Sequence, residues 1–198
     1  KDSNSLNTPL GRLVKLEMTE SLTPEDISEL KTLSTSKDAP IAFYSLMALA
    51  NYYVKIKKPE KAVEYLKKSI AIYPENGTLY LAKLYYLLGQ PAESIKFFHK
   101  MKFRLSPVDA ICYGEALAST RSLHELKSLA QKYRIGKRLD IMAGYYLDAL
   151  TAFLENNYSE LSIKLNALDN YLPNTPISQM LMLYNAVNTH NVSVTTSL

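Results

Sequence analysis

The 198-residue sequence has one cysteine, no tryptophan and only six glycines. A single cysteine, Cys112, excludes an internal disulfide framework and a thiolate metal cluster, because both need several cysteines. Cys112 lies in an apolar helical run, where we expect an inert buried thiol. Few glycines beside abundant leucine, alanine, tyrosine and lysine favour helices over a turn-rich β fold. The composition therefore predicts a helical protein.

Long apolar runs and enzyme motifs are also missing. No apolar run reaches the roughly 18 residues that a membrane span requires. The longest, residues 141–154, contains two polar residues and is predicted to be a buried helix. There is no G-x-S-x-G, no Walker loop and no G-x-G-x-x-G. His99, His124 and His190 lack the i, i+4 partners of a zinc site. We therefore predict a non-enzymatic protein with no catalytic residues, no cofactor, no metal and no small-molecule substrate.

Positive charge is concentrated in the middle of the chain. The formal net charge is +4, but residues 55–104 hold eleven Lys and Arg against four Glu. Such a segment is usually a solvated helix face, and it can also attract acidic partners or nucleic acid. Nucleic-acid binding is the less favoured alternative, because no motif that interleaves aromatic and basic residues accompanies the charge.

The chain repeats itself after 32 residues. The first copy runs from Lys57 to Leu66 and closes on Tyr73-Pro74, and the second runs from Gly89 to Phe98 and closes near Ser106-Pro107. Each copy has an apolar helical stretch, a polar turn, an amphipathic stretch and a proline that stops it. A unit of about 34 residues built in this way indicates a helical solenoid. Such a unit buries its apolar face only by stacking on its neighbours.

Helix starts are marked by capping residues. Thr23-Pro24 and Ser106-Pro107 place a hydroxyl before a proline at the first helical position. Ser122 and Glu125 have the spacing of a capping box. No segment alternates with period two for long enough to form a strand. The signals predict an all-α protein with helices at residues 9–20, 23–34, 39–56, 59–72, 77–88, 91–103, 107–120, 123–133, 138–155, 158–171 and 176–188.

The helix pairs share an order of large and small residues. The best copy has Leu46, Leu49, Ala50 and Tyr53 in its first helix, then Ala62, Leu66, Ser69, Ile70 and Pro74. A second copy contains Leu81, Ala82, Tyr85, Gly89, Ser94 and Phe98. A third, weaker copy contains Tyr113, Gly114, Leu117, Leu126 and Ala130. A fourth, also weaker, contains Tyr145, Ala149, Ala152, Leu161, Leu165 and Pro173. In this order the chain resembles the tetratricopeptide repeat (TPR) family.

The resemblance implies an α-α superhelix, a helix-hairpin solenoid of about four repeats. The expected single domain, 1–198, has a flexible tether at 1–8, an irregular helix pair at 9–38 and TPR-like repeats at 40–175. A capping helix at 176–188 and a tail at 189–198 follow. The family geometry also implies a concave groove lined by the first helix of each pair.

Groove residues are predicted by mapping the inner face of each first helix onto this sequence. In chaperone-binding TPR proteins, several asparagine and lysine residues clamp a peptide carboxylate. This chain supplies only part of that set and places an acid in the third copy, so we predict a groove for a peptide or helix rather than a full clamp. The predicted partner-binding residues are Tyr44, Met47, Asn51, Lys55, Leu79, Lys83, Tyr86, Ile111, Glu115, Tyr146, Leu150 and Phe153.

The predicted function is an adaptor or scaffold that binds a peptide or helix of a partner protein. The polar start at Lys1 resembles the tether that follows the lipidated cysteine of bacterial lipoproteins. It favours a periplasmic or outer-membrane assembly factor for a pilus or secretion machine, with a lipid anchor upstream. The alternatives are a cytoplasmic TPR-type secretion chaperone and the regulatory region of a larger enzyme. The partner, the oligomeric state and the role of the end Thr196-Ser197-Leu198, which matches a short PDZ-ligand pattern, stay open.

Overall fold

A computed structural model describes residues 8–19 and 21–171 of the chain. The predicted all-α class is confirmed, since this part of the chain contains ten α-helices and no strand. The predicted capping helix at 176–188, the tail and most of the tether lie outside the described residues. The helices are α1 (Pro9–Glu17), α2 (Pro24–Leu33), α3 (Ala39–Lys55), α4 (Pro59–Ile70), α5 (Pro74–Leu87), α6 (Pro91–Phe98), α7 (Pro107–Ser119), α8 (Leu123–Tyr133), α9 (Arg138–Leu154) and α10 (Tyr158–Asp169).

Three predicted helix boundaries are wrong by more than two residues. Helix α1 ends at Glu17, three residues before the predicted end at residue 20. Helix α5 begins at Pro74, three residues before the predicted start. The proline closes one unit and also occupies the first position of the next helix, where its missing N–H costs nothing. Helix α6 ends at Phe98 instead of residue 103. The amides of Lys100 and Met101 bond to carbonyls three residues back, at 3.1 and 3.0 Å, and this tightened turn closes the helix.

One predicted capping box is also wrong. At the start of α2, the Thr23 Oγ1 accepts the Asp26 amide at 3.2 Å and the Asp26 carboxylate accepts the Thr23 amide at 2.9 Å. Ser122 makes no such bond at the start of α8. Its ψ of 62° departs from the extended backbone that capping needs. Glu125, the expected partner, accepts the Tyr113 hydroxyl at 3.1 Å instead.

A single type of turn follows helices α3, α5, α7 and α9. A residue just past each helix adopts the left-handed conformation: Lys57 (φ 57°), Gly89 (φ 69°), Arg121 (φ 56°) and Asn156 (φ 55°). After α3, α7 and α9, the following amide donates to the carbonyl five residues back, at 2.8 to 2.9 Å. This is the Schellman closure, which normally uses glycine. A left-handed residue therefore follows the first helix of each pair, the Schellman bond is seen in three of these turns, and only the turn after α5 has the favoured glycine.

We expect Arg121→Gly to raise the free energy of unfolding by about 0.5–1 kcal/mol. The left-handed conformation costs a residue with a Cβ atom about 1–2 kcal/mol, and substitution by glycine removes this cost. Part of the gain is lost again because glycine has more conformational freedom in the unfolded chain. Gly89→Ala is the matched reverse change, because a Cβ there meets nothing within 4 Å and only the backbone conformation resists it. The urea midpoint should rise for Arg121→Gly and fall for Gly89→Ala. Shifts of the two midpoints in the same direction would contradict the explanation from the left-handed backbone.

The chain divides into two compact units. The first contains Lys1–Gly89 and Lys96–Met101, and the second contains Gln90–Ile95 and Lys102–Leu198. In the first, α3 packs against α1, α2 and α4, and α5 packs against α4. In the second, α9 packs against α7, α8 and α10. The single continuous domain stays a prediction.

Small side chains lie where the paired helices approach each other. Ala50 of α3 and Ala62 of α4 are both buried in the first core, as their spacing predicts. The equivalent pair in the second unit is Gly114 of α7 and Leu126 of α8, again twelve residues apart. A Cβ on Gly114 would lie 3.4 Å from the Leu126 Cδ1 atom. A Cβ at that distance from Leu126 would make an ordinary contact, so the glycine mainly makes room for Leu147 of α9, whose Cδ2 atom a Cβ on Gly114 would overlap.

Candidate functional site

The predicted groove residues of the first unit differ widely in accessibility. On α3, Tyr44 is 51% exposed, and Asn51 and Lys55 are also exposed. Met47 is buried in the core that also contains Leu13 and Leu16 of α1. Helix α1 therefore covers part of the α3 face that the sequence assigns to a partner. On α5, the side chains predicted to line the groove are half-buried: Leu79, Lys83 and Tyr86.

A cleft of about 420 Å³ remains open beside the last turns of α3. Asn51 and Lys55, one helical turn apart, present an amide and an ammonium group on one face of α3. Around them the walls are largely apolar, which is the usual composition of a surface that binds a peptide side chain. The complete lining is Leu16, Thr19, Leu22, Ala48, Asn51, Tyr52, Val54 and Lys55.

Sequence reasoning missed one wall of this cleft. Leu16, Thr19 and Leu22 come from α1 and the segment after it, which the repeat pattern does not cover. The available signal is the spacing of Leu13 and Leu16, both of which are buried and mark the face of α1 that packs inward. Conversely, Lys83 is not among the cleft residues. Its Nζ lies 5.3 Å from the centre of the Tyr80 ring on the same helix.

The corresponding face of the second unit is more apolar and carries an acid. The Tyr146 hydroxyl of α9 donates to the Glu115 Oε1 of α7 at 2.5 Å, and Tyr146 is buried. Ile111 and Leu150 pack against the cluster that contains Tyr146. Phe153 packs in a separate cluster between α9 and α10. The structure thus brings four of the predicted residues together, namely Ile111, Glu115, Tyr146 and Leu150. Much of their surface, however, is in contact with the core.

Buried Tyr133 and half-buried Tyr113 serve as hydrogen-bond donors in the second unit. Burial, reinforced by the Glu125 carboxylate, raises the pKa of Tyr113 well above its ordinary value. Burial also raises the pKa of Tyr133, whose hydroxyl donates to the Leu105 carbonyl at 2.6 Å. An ordinary tyrosine hydroxyl, with a pKa of about 10, is already protonated at neutral pH and can donate a hydrogen bond, and the raised pKa makes ionisation of these two hydroxyls harder still. Packing with one satisfied polar end explains these positions.

A second pocket, of about 520 Å³, is lined by residues of α8, α9 and α10. Asp148, with 7% of its side chain exposed, accepts two hydrogen bonds from Arg134, at 3.0 and 2.7 Å. Lys164 lies 3.8 Å from Asp148 and 3.0 Å from Glu160. The hydrogen bond to Asp148 raises the pKa of Arg134, which stays charged. Because these charges neutralise one another, we interpret the charged side chains of this pocket as a structural ion-pair network and not as a ligand site.

Potential metal ligands are not clustered in the described part of the chain. Over residues 8–19 and 21–171, no three His, Cys, Asp or Glu side chains come close enough together to hold a metal ion. Cys112 is half-buried. None of the described helices combines the length and the apolar character needed to cross a bilayer.

Comparison with known families identifies one segment. The family model described as "Tetratricopeptide repeat" matches residues 43–76, which run through α3 and α4 to the start of α5. This is the best of the copies found in the sequence. Comparison with curated proteins and with solved structures gave no match.

Proposed function

We propose that this chain, whose residues 43–76 match the tetratricopeptide repeat model, is a non-enzymatic adaptor whose first-helix face binds a peptide or helix of a partner protein. TPR repeats are modules of protein–protein interaction. The observation that carries the proposal is the cleft at the end of α3, whose α3 wall belongs to the matched repeat and keeps Asn51 and Lys55 exposed. An apolar floor with two polar groups at one side can bury an apolar side chain and bond to the main chain beside it.

Within that role, we propose that the partner belongs to an envelope assembly such as a pilus or secretion machine. The support is compositional: the segment Lys1-Asp2-Ser3-Asn4-Ser5 is polar, like the tethers of lipoproteins. Purification of the chain from its native cells, followed by mass spectrometry of what co-purifies, tests this narrower proposal. Recovery of cytoplasmic export substrates alone would favour the secretion-chaperone alternative.

We expect Asn51→Ala with Lys55→Ala to weaken binding of the partner about tenfold, equivalent to about 1.4 kcal/mol. Each side chain supplies donors that a bound peptide main chain or carboxylate can use, and both are exposed. Because neither side chain lies in the core, the free energy of unfolding should change by no more than about 0.5 kcal/mol. Isothermal titration with the purified partner segment measures the first effect, and calorimetric unfolding measures the second.

The matched control is Asn166→Ala with Lys31→Ala, which removes the same two side-chain types from exposed helix positions outside the cleft. It should bind like the unaltered protein. A photoreactive amino acid placed at Asn51 should cross-link to the partner, whereas one at Asn166 should not. Unchanged affinity of the Asn51, Lys55 variant, or equal cross-linking at both positions, would rule out the cleft as the binding site.

A further inference from the structure

Helices α3 and α4 carry a stacked pair of tyrosine rings with a lysine on each side. The rings of Tyr53 and Tyr65 are nearly parallel, at 9°, with centroids 5.4 Å apart. Lys61 Nζ lies 5.3 Å from the centre of the Tyr53 ring, and Lys68 Nζ lies 5.1 Å from the centre of the Tyr65 ring. These are distances at which an ammonium group is attracted to a ring. The four side chains therefore form one alternating arrangement of cations and rings.

Part of this arrangement recurs 32 residues later in the same unit. The Tyr85 and Phe97 rings are stacked at 5.4 Å and 14°, and Lys100 Nζ lies 4.5 Å from the centre of the Phe97 ring. The position equivalent to Lys61 is occupied by Glu93. A stacked pair with one covering lysine is thus a property of the repeat, and the second covering lysine belongs to the first copy alone.

Around this arrangement, α4 and the turn before it form a basic face. Lys58, Lys61 and Lys67 are exposed, and no described carboxylate forms an ion pair with them. Lys68 is paired with Glu64 at 2.6 Å, and the ammonium groups of Lys68 and, more weakly, Lys61 lower the pKa of that carboxyl. We call this surface the α4 basic face, and it consists of Lys57, Lys58, Lys61, Tyr65, Lys67 and Lys68, with the exposed acids Glu60 and Glu64 between Lys61 and Lys67 around the helix.

The ring contacts bear on what this face can bind. A lysine held against a ring has lost part of its side-chain freedom already, so it loses less on binding an anion. Lys61 and Lys68 lie about two turns apart on α4, roughly 10 Å along its axis, which a short run of carboxylates can span. Single-stranded nucleic acid binds through open aromatic faces on which bases stack. Here Lys61 and Lys68 cover the ring faces, which favours carboxylates over bases.

We propose that the α4 basic face is a second binding surface, separate from the cleft, and that it takes an acidic segment of a partner protein. Carboxylates of that segment pair with Lys58, Lys61 and Lys67, none of which forms an ion pair with a described carboxylate. Charge complementarity of this kind chiefly accelerates association and selects the partner, and it weakens with salt.

The test uses the full chain and a short poly-glutamate peptide as the probe. Replacing Lys58, Lys61 and Lys67 by glutamine should weaken binding of the peptide about tenfold. The matched control replaces Lys15, Lys31 and Lys37 by glutamine, which removes the same charge from exposed positions of the first two helices and the turn that follows them. It should bind within about twofold of the unaltered protein, and both variants should keep the original melting temperature.

Three results would overturn the proposal. Equal weakening in both triple variants would show that net charge, and not this face, attracts the peptide. No measurable binding at about 50 mM salt would show an ordinary solvated face. Tighter binding of poly-uridine than of poly-glutamate, lost on changing the three α4 lysines, would make the face a nucleic-acid surface. The cleft variant Asn51→Ala with Lys55→Ala should bind poly-glutamate nearly as well as the unaltered protein, which distinguishes failure here from failure of the cleft.

Discussion

Replacing Leu147 by alanine is expected to lower the free energy of unfolding by about 2–5 kcal/mol. Leu147 of α9 is fully buried, and its Cδ2 atom occupies the space above Gly114 of α7. Truncation removes buried apolar atoms and leaves a cavity, and the two costs add. The loss should appear in urea denaturation as a lower midpoint with an unchanged slope.

Gly114→Ala should also destabilise the protein, by about 1–3 kcal/mol, through crowding instead of loss of contact. The added Cβ would lie 1.9 Å from the Leu147 Cδ2 atom, and a fully buried side chain has little room to move away. The two changes should compensate when combined, because the new methyl group enters the space that the leucine leaves. A double-mutant cycle should therefore give a favourable coupling of about 1 kcal/mol or more.

Gly144→Ala provides the control for this coupling. Gly144 lies on α9 with Leu147, but its added Cβ would meet backbone atoms, with the Tyr133 carbonyl oxygen at 2.8 Å. Leu147→Ala removes none of these atoms, so it should not rescue Gly144→Ala. Additive losses at Gly114 and Leu147, or a rescue at Gly144, would show that the cost does not come from the contacts described here.

The sequence predicts the helices well because each rests on local signals. Capping at Thr23 and prolines at first helical positions act within one turn of chain, so no tertiary information is needed to place them. The errors arise where two local signals compete. Pro74 ends one repeat and begins the next helix. Ser122 has capping chemistry, but its own amide makes the Schellman hydrogen bond to the Leu117 carbonyl, which fixes its backbone in another conformation.

The candidate site is harder to predict because it depends on which helices meet. Asn51 and Lys55 follow from the repeat pattern, since both belong to the matched segment. The pattern stops before α1, so it could not show that Leu16 forms a wall or that Met47 is covered. Lys61 and Lys68 look like ordinary surface charges in the sequence. Only their distances from two rings reveal that they are held in place.

The second large effect is expected at Arg134. Replacing it by alanine leaves the Asp148 carboxylate buried with Lys164, at 3.8 Å, as its remaining cation. Losing one partner of a buried ion pair costs about 3–5 kcal/mol. Because 51% of the Arg134 side chain is exposed, water moderates the loss. We expect about 2–3 kcal/mol, measured by thermal unfolding at neutral pH.

Lys127→Ala is the matched comparison, because Lys127 also pairs with an acid on α9, Glu155, at 2.5 Å. Both members of that pair are substantially exposed, so its loss should cost no more than about 1 kcal/mol. Removing Asp148 together with Arg134 should be less harmful than removing Arg134 alone, since no buried charge is then left without its partner. If the double variant is instead the weaker protein, Asp148 contributes through Lys164 or through packing. The network would then hold α9 against α10 more than against α8.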